Sequence, residues 1–147
     1  MVNGPGWISK YGRYSASAAI KRGQAMLNQG IPYVWGGKTP AGFDCSGFVC
    51  YCYGISGMGT GQFTSSLPNY GFQDVTGTKM QEGDIVFWLK DEGGQTAGHT
   101  GIYLRNGSVI QSEWGIGPHI GSCYGSFFNH IFRPPEGAGF YPIHWTD

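Results

Sequence analysis

Charge is what this sequence has least of. Only 12% of its 147 residues are charged, and nine Lys/Arg offset nine Asp/Glu to a formal net charge of zero. No Lys/Arg cluster stands out, which argues against a nucleic-acid partner. Charge also gives no help in drawing the chain to an anionic membrane or polymer. Long apolar runs are missing too. Nothing approaches the ~20 residues that span a bilayer, and Met1-Val2-Asn3-Gly4-Pro5-Gly6 has neither the basic region nor the apolar core of a signal peptide. The expectation is a protein made in the cytoplasm with no membrane partner. Cysteine is sparse, at positions 45, 50, 52 and 123. Cys50 and Cys52 fall in one helical stretch, where residues two apart point roughly 200° apart. They read as small buried hydrophobes rather than a disulfide or zinc framework. His99, His119, His130 and His144 show no ligand spacing, so neither a metal nor another cofactor is expected.

Glycine is abundant, at 27 residues, and 16% of the chain is aromatic. Those aromatics need a core, which argues against disorder, and the glycines argue for a loop-rich α+β domain rather than a helical bundle. The length suits one domain over residues 1–135. Pro134-Pro135 closes it, and Glu136 to Asp147 reads as a tail or the start of a linker.

A first helix is predicted over 15–29, capped by Ser15 or Ser17, with Ala16, Ala19, Ile20, Gly23, Met26 and Leu27 as its buried stripe. Gly30 and Pro32 mark its stop. Residues 31–42 read as an extended, turn-rich link. A second helix begins at Asp44 or Cys45, buries Phe48, Val49 and Cys52, and ends at Gly54. Residues 56–71 read as loop with one short helical turn near Ser65. The pattern then switches to period two. Asp84–Leu89, Thr100–Leu104, Ser108–Ser112 and Phe127–Phe132 are strand candidates. Helices first and strands second predict a small antiparallel sheet packed on the second helix.

Cys45 carries the chemistry. It opens a helix, in Phe43-Asp44-Cys45-Ser46-Gly47-Phe48-Val49, and His99 opens a strand, in His99-Thr100-Gly101-Ile102-Tyr103. These are the parts of a thiol nucleophile and its base. A helix N-terminus and a nearby imidazolium lower a thiol pKa to roughly 3.5–7.5. Asp44 reads as an N-cap or as a carboxylate at the cleft edge for a substrate amine. Ser46 reads as a first-turn residue or a substrate contact. The residue orienting His99 depends on the Arg105-Asn106-Gly107 connection. A two-residue Asn-Gly turn sets Ile102 opposite Gln111 and brings Ser112 to the side of His99. A three-residue loop, with Gly107 in the left-handed region, sets Gly101 opposite Gln111. His99 and Gln111 are then diagonal neighbours about 7–8 Å apart at the backbone. Gln111 is favoured, its amide oxygen fixing the imidazole tautomer.

The motifs Pro32-Tyr33-Val34-Trp35-Gly36-Gly37, Asp44-Cys45-Ser46-Gly47-Phe48-Val49, Glu82-Gly83-Asp84-Ile85-Val86-Phe87 and His99-Thr100-Gly101-Ile102-Tyr103 resemble the NlpC family of cell-wall cysteine peptidases. The likeness runs from about Ser15 to Arg133. It implies a papain-like fold, Cys45 as nucleophile, His99 as base and Gln111 as the polar orienting residue. It also implies a cleft role for Tyr33, and a substrate amine met by Asp44 and Ser46. Peptide or amide bonds of the peptidoglycan stem peptide are the implied substrate. Two positions depart from the pattern: Gln111 stands where histidine is common, and Gln62-Phe63 stands where an arginine often lies. Trp35 and Trp114 are expected to line the cleft or to pack. The resemblance further suggests the catalytic module of a phage- or prophage-type endolysin, with a separate cell-wall-binding domain outside this chain. Two other readings share the motifs. One is an acyl-transfer enzyme, a transglutaminase or deamidase; the other is a catalytically silent wall-binding module.

Overall fold

The computed structural model describes residues 15–89, 98–122 and 128–135. Cys123, Phe127, His144 and the tail expected from residue 136 lie outside the described residues.

Helix α1 spans Ala16–Ala25, and Ser15 starts it: its backbone is extended, and its hydroxyl accepts the Ala18 N–H at 3.1 Å. The helix stops four residues before the predicted end. Asn28 already sits in the left-handed region, at φ 60°, ahead of Gly30 at 73°; asparagine tolerates that geometry. Met26, now the C-cap, still reaches the core. Gly23 explains the close approach of α1. A Cβ there would lie 3.0 Å from Ile110 Cδ1 and 3.3 Å from Cys52 Sγ.

Two short strands, β1 (Lys38–Thr39) and β2 (Gly42–Phe43), pair as a hairpin that feeds straight into helix α2, Cys45–Tyr53. Gly54 closes α2 in the left-handed conformation, at φ 75°. Residues 60–70 hold more helix than expected: 3₁₀ turns at Thr60–Gln62 and Leu67–Tyr70 flank a single α turn, α3, at Phe63–Ser66. Phe63 and Leu67 are fully buried and pin this segment to the core, and Phe63 meets Phe87 edge-on at 5.3 Å.

The main sheet has six antiparallel strands in the order β3-β8-β4-β5-β6-β7. These are β3 (Gln73–Asp74), β4 (Ile85–Trp88), β5 (His99–Tyr103), β6 (Ser108–Glu113), β7 (Gly117–Ser122) and β8 (His130–Arg133). Four were predicted to within a few residues. The edge strands β3 and β7 were not, because Gly117-Pro118-His119-Ile120-Gly121 lacks β-branched alternation and Pro118 argues against a strand. An edge strand tolerates proline. One face of the sheet carries Ile85, Phe87, Ile102, Ile110 and Phe132 against α2 and its neighbours, and the other carries the smaller cluster of Val86, Val109 and Ile131. The predicted α+β, papain-like arrangement is what is found, with the Cys45 helix packed on β5 and β6.

The Glu82-Gly83-Asp84 motif is architectural. Asp84 is fully buried and takes both arms of Arg133, Nε at 2.9 Å and Nη2 at 2.8 Å, while also accepting the Gln81 N–H at 2.8 Å. Such pairing answers the desolvation of a buried carboxylate. Tyr53 donates to the Gly83 carbonyl from the fully buried end of α2.

Candidate active site

Two of the motifs form one local unit. Asp44 Oδ1 accepts the Gly47 N–H at 2.6 Å and caps α2, while Asp44 Oδ2 accepts the Gly36 N–H at 3.1 Å. The Asp44 N–H in turn donates to the Gly37 carbonyl at 3.0 Å. Gly47 is required here: a Cβ would stand 2.0 Å from that same carbonyl oxygen. Asp44 thus holds the start of the cysteine helix against the segment that carries Tyr33 and Trp35. Ser46 is buried, and its hydroxyl donates to Asp44 Oδ1 at 3.4 Å, so it bears on the site through Asp44.

Cys45 occupies the first position of α2 and is 7% exposed. Its sulfur lies 3.7 Å from Thr60 Oγ1, and the backbone N–H groups of Thr100 and Ser46 also face it. The expected low pKa is not found. Burial pushes the thiol above its ordinary value, and Asp44 adds to this, while the Thr60, Thr100 and Ser46 donors act the other way. Burial prevails because a thiolate with little water around it forfeits more solvation than those donors return.

His99 begins β5, one residue before the Thr100 N–H that faces the sulfur. The register is that of the three-residue loop. Ile102 pairs with Ile110 and Tyr103 with Val109, which sets Gly101 opposite Gln111. Asn106 and Gly107 both take positive φ, at 54° and 78°. The diagonal pair meets: His99 Nε2 and Gln111 Oε1 are 2.5 Å apart. Since an amide oxygen accepts only, Nε2 carries the hydrogen, and Nδ1 is left free for a second partner. Gln111 is buried between two glycines. A Cβ on Gly101 would lie 3.2 Å from its Cβ, and one on Gly121 would lie 2.5 Å from its Nε2. Ser112, the residue for the other register, faces inward and donates to the Phe43 carbonyl at 3.0 Å.

Tyr33 is half-buried, with its hydroxyl pKa pushed up to about 12 by burial first and by negative charge at Cys45 and Asp44 second. It is therefore a hydrogen-bond donor at neutral pH, near the sulfur. Trp114, at the β6–β7 turn, meets Tyr33 edge-on at 5.5 Å. Neither tryptophan is packed away: Trp35 is 73% exposed and Trp114 76%. A groove of ≈ 540 Å³ is lined by Ile31, Pro32 and Tyr33 together with Ile116 of the β6–β7 turn and Pro118 and His119 of β7. His119, on its wall, pairs with Glu113 at 2.6 Å.

Thr60 escaped the sequence reading. It lies in Gly57-Met58-Gly59-Thr60-Gly61, which has no pattern tying it to Cys45, and the buried Met58, Phe63 and Leu67 around it anchor its segment to the core. Cys50 and Cys52 are free and buried, as small hydrophobes would be. Among the described residues no cluster of His, Cys, Asp and Glu is arranged to hold a metal ion, and no helix is long and apolar enough to cross a membrane.

The NlpC/P60 family model matches residues 30–133. The chain is 33% identical over 124 residues to the peptidoglycan DL-endopeptidase CwlO of Bacillus licheniformis, which covers 79% of this chain and 26% of that protein. Among solved structures, the NlpC/p60 domain of the peptidoglycan hydrolase SagA superposes with a TM-score of 0.58 at 25% identity, covering 80% of this chain and 97% of that one. RipD of Mycobacterium tuberculosis is described as a non-catalytic NlpC/p60 domain adapted to peptidoglycan binding. It shares the fold with a TM-score of 0.60 at 22% identity, over 80% of this chain and 95% of that one. The chain spans about a quarter of the length of the curated relatives it matches. With all four motifs inside or beside the matched span, the chain belongs to the NlpC/P60 family.

Proposed function

We propose that this domain is a cysteine endopeptidase or amidase that cuts the stem peptide of bacterial peptidoglycan. The observation that carries the reading is the His99–Gln111 bond, which commits Nε2 and leaves Nδ1 as the free base, one residue from the N–H that faces the Cys45 sulfur.

Burial disfavours the Cys45 thiolate, and the proposed reaction opens with proton transfer. His99 Nδ1 takes the S–H proton as the sulfur bonds to the substrate carbonyl carbon. The oxyanion forms at the start of α2, where the first N–H groups and the Tyr33 hydroxyl donate to it. Collapse breaks the C–N bond, and His99 returns the proton to the leaving amine. Water then attacks the thioester; His99 accepts its proton and passes it to the departing sulfur. Gln111 holds the ring throughout. Asp44 faces the substrate amine from the cleft edge, and Trp35 offers an exposed ring beside it. A formal net charge of zero suits a module whose attachment to the wall is supplied by a separate binding domain.

Digestion of purified peptidoglycan by wild type and Cys45→Ala, read by mass spectrometry, tests the reading. New peptide ends from wild type alone support it and name the bond. Amide products with an added amine would instead favour acyl transfer. Wall retention without cleavage would favour the binding role that RipD illustrates.

A further inference from the structure

We infer that Thr60 is a further catalytic residue, whose hydroxyl donates to the Cys45 thiolate and sets the pH at which the thiol becomes reactive. This rests on the reading of Cys45 as the nucleophile.

A cysteine that is only 7% exposed has few water molecules to stabilise its charged form, and protein donors must replace them. Three converge on it: the backbone N–H groups of Thr100 and Ser46, and the Thr60 hydroxyl at 3.7 Å. The first two belong to the strand of the base and the helix of the nucleophile, and come with the fold. Thr60 is the side chain of the three, so this donor alone is open to change by substitution.

Its position is fixed on both sides. Gln62 Oε1 accepts the Gly59 N–H at 3.0 Å and tightens the turn around Thr60, while the Phe63 N–H bonds back to the Thr60 carbonyl. Phe63 is fully buried, edge-on to Phe87, so the turn is bolted to the sheet. Thr60 itself is 5% exposed. Gln62 and Phe63 are the residues that depart from the family-like pattern, and here they place a hydroxyl beside the nucleophile. With the thiol protonated, the hydroxyl accepts the S–H or turns away. With the thiolate it donates, and a hydrogen bond to a charged acceptor is worth about twice a neutral one.

The test is the pH profile of Cys45 alkylation by iodoacetamide, followed by peptide mapping so that the other cysteines do not contribute. Thr60→Val keeps the shape and removes the donor; Thr60→Ala removes it without risk of strain at the branched carbon; Thr60→Ser keeps the hydroxyl. The expected result is a midpoint raised by about one pH unit in the Val and Ala variants, or roughly tenfold slower alkylation at pH 7, with the Ser variant near wild type. Unmoved midpoints in folded Val or Ala protein overturn the inference. So does a Ser variant that shifts as far as Val, since packing of the methyl group would then be the cause. Wall digestion is measured alongside. A wild type that cuts no wall, with the midpoint still raised by Thr60→Val, would sink the hydrolase reading and leave the role of Thr60 standing.

Discussion

Helix α2 holds three cysteines in two settings: Cys45 in its first turn, and Cys50 and Cys52 in its interior. All three are buried, and burial pushes all three thiols up, Cys50 to about 12 and Cys52 further still. A raised pKa therefore does not single out the proposed nucleophile. What differs is the company. Cys45 meets a hydroxyl and two backbone N–H groups at the open end of a helix, and one of those N–H groups belongs to Thr100, next to the His99 that begins β5. Cys52 is fully enclosed, close to Gly23 and the Ile110 side chain. The proposal that Cys45 is the reactive thiol rests on these neighbours and not on a pKa.

The largest effect that would break this contrast is Cys45→Ala, expected to remove wall cleavage altogether while Cys50→Ala leaves it near wild type, both followed by release of soluble fragments. Next, Gln111→Ala frees the imidazole ring and should lower kcat/KM by on the order of 100-fold, the lower end of what a positioned general base contributes. An equal loss in Gln111→Asn, whose shorter amide falls short of Nε2, would show that reach matters and not polarity alone. Asp44→Ala removes the cap and unpartners the Gly36 N–H, for about 1–2 kcal/mol by denaturant melt. The smallest effect is in pH. Thiols with raised folded pKa values favour the folded state fully below the unfolded value of 9.0 and lose that advantage as pH rises through the folded values. The melting midpoint should thus fall above about pH 9, less steeply in Cys50→Ala, as calorimetry would read.

Cys45 and His99, the proposed nucleophile and base, stood out in the sequence because each sits at an element boundary with a strong local signal: Asp44 before a helical stripe, a glycine before a strand. The Gln111 register was legible because Arg105-Asn106-Gly107 offers few loop geometries, and the two candidates point opposite residues at His99. Thr60 was not, since its segment is held by long-range packing, such as Phe63 on Phe87, 24 residues apart in the chain. β7 was hidden by its glycines, yet Gly121 is what makes room for the Gln111 amide. The raised Cys45 pKa is not legible in the sequence, because local sequence reveals the helix end but not how deeply the fold buries it.

Gly47 sets a limit on how this site can vary. When two side chains collide, a substitution at one can be rescued by trimming the other. The neighbour of Gly47 is the main-chain oxygen of Gly37, which no substitution shortens. Gly98 against the Trp88 carbonyl and Gly117 against the Ile31 carbonyl are placed alike. In a library of variants selected for activity, second-site suppressors should therefore be recoverable for defects at Phe63 or Trp114 and absent for Gly47. The cleft can change its lining freely while it turns about a few points that have no partner to negotiate with.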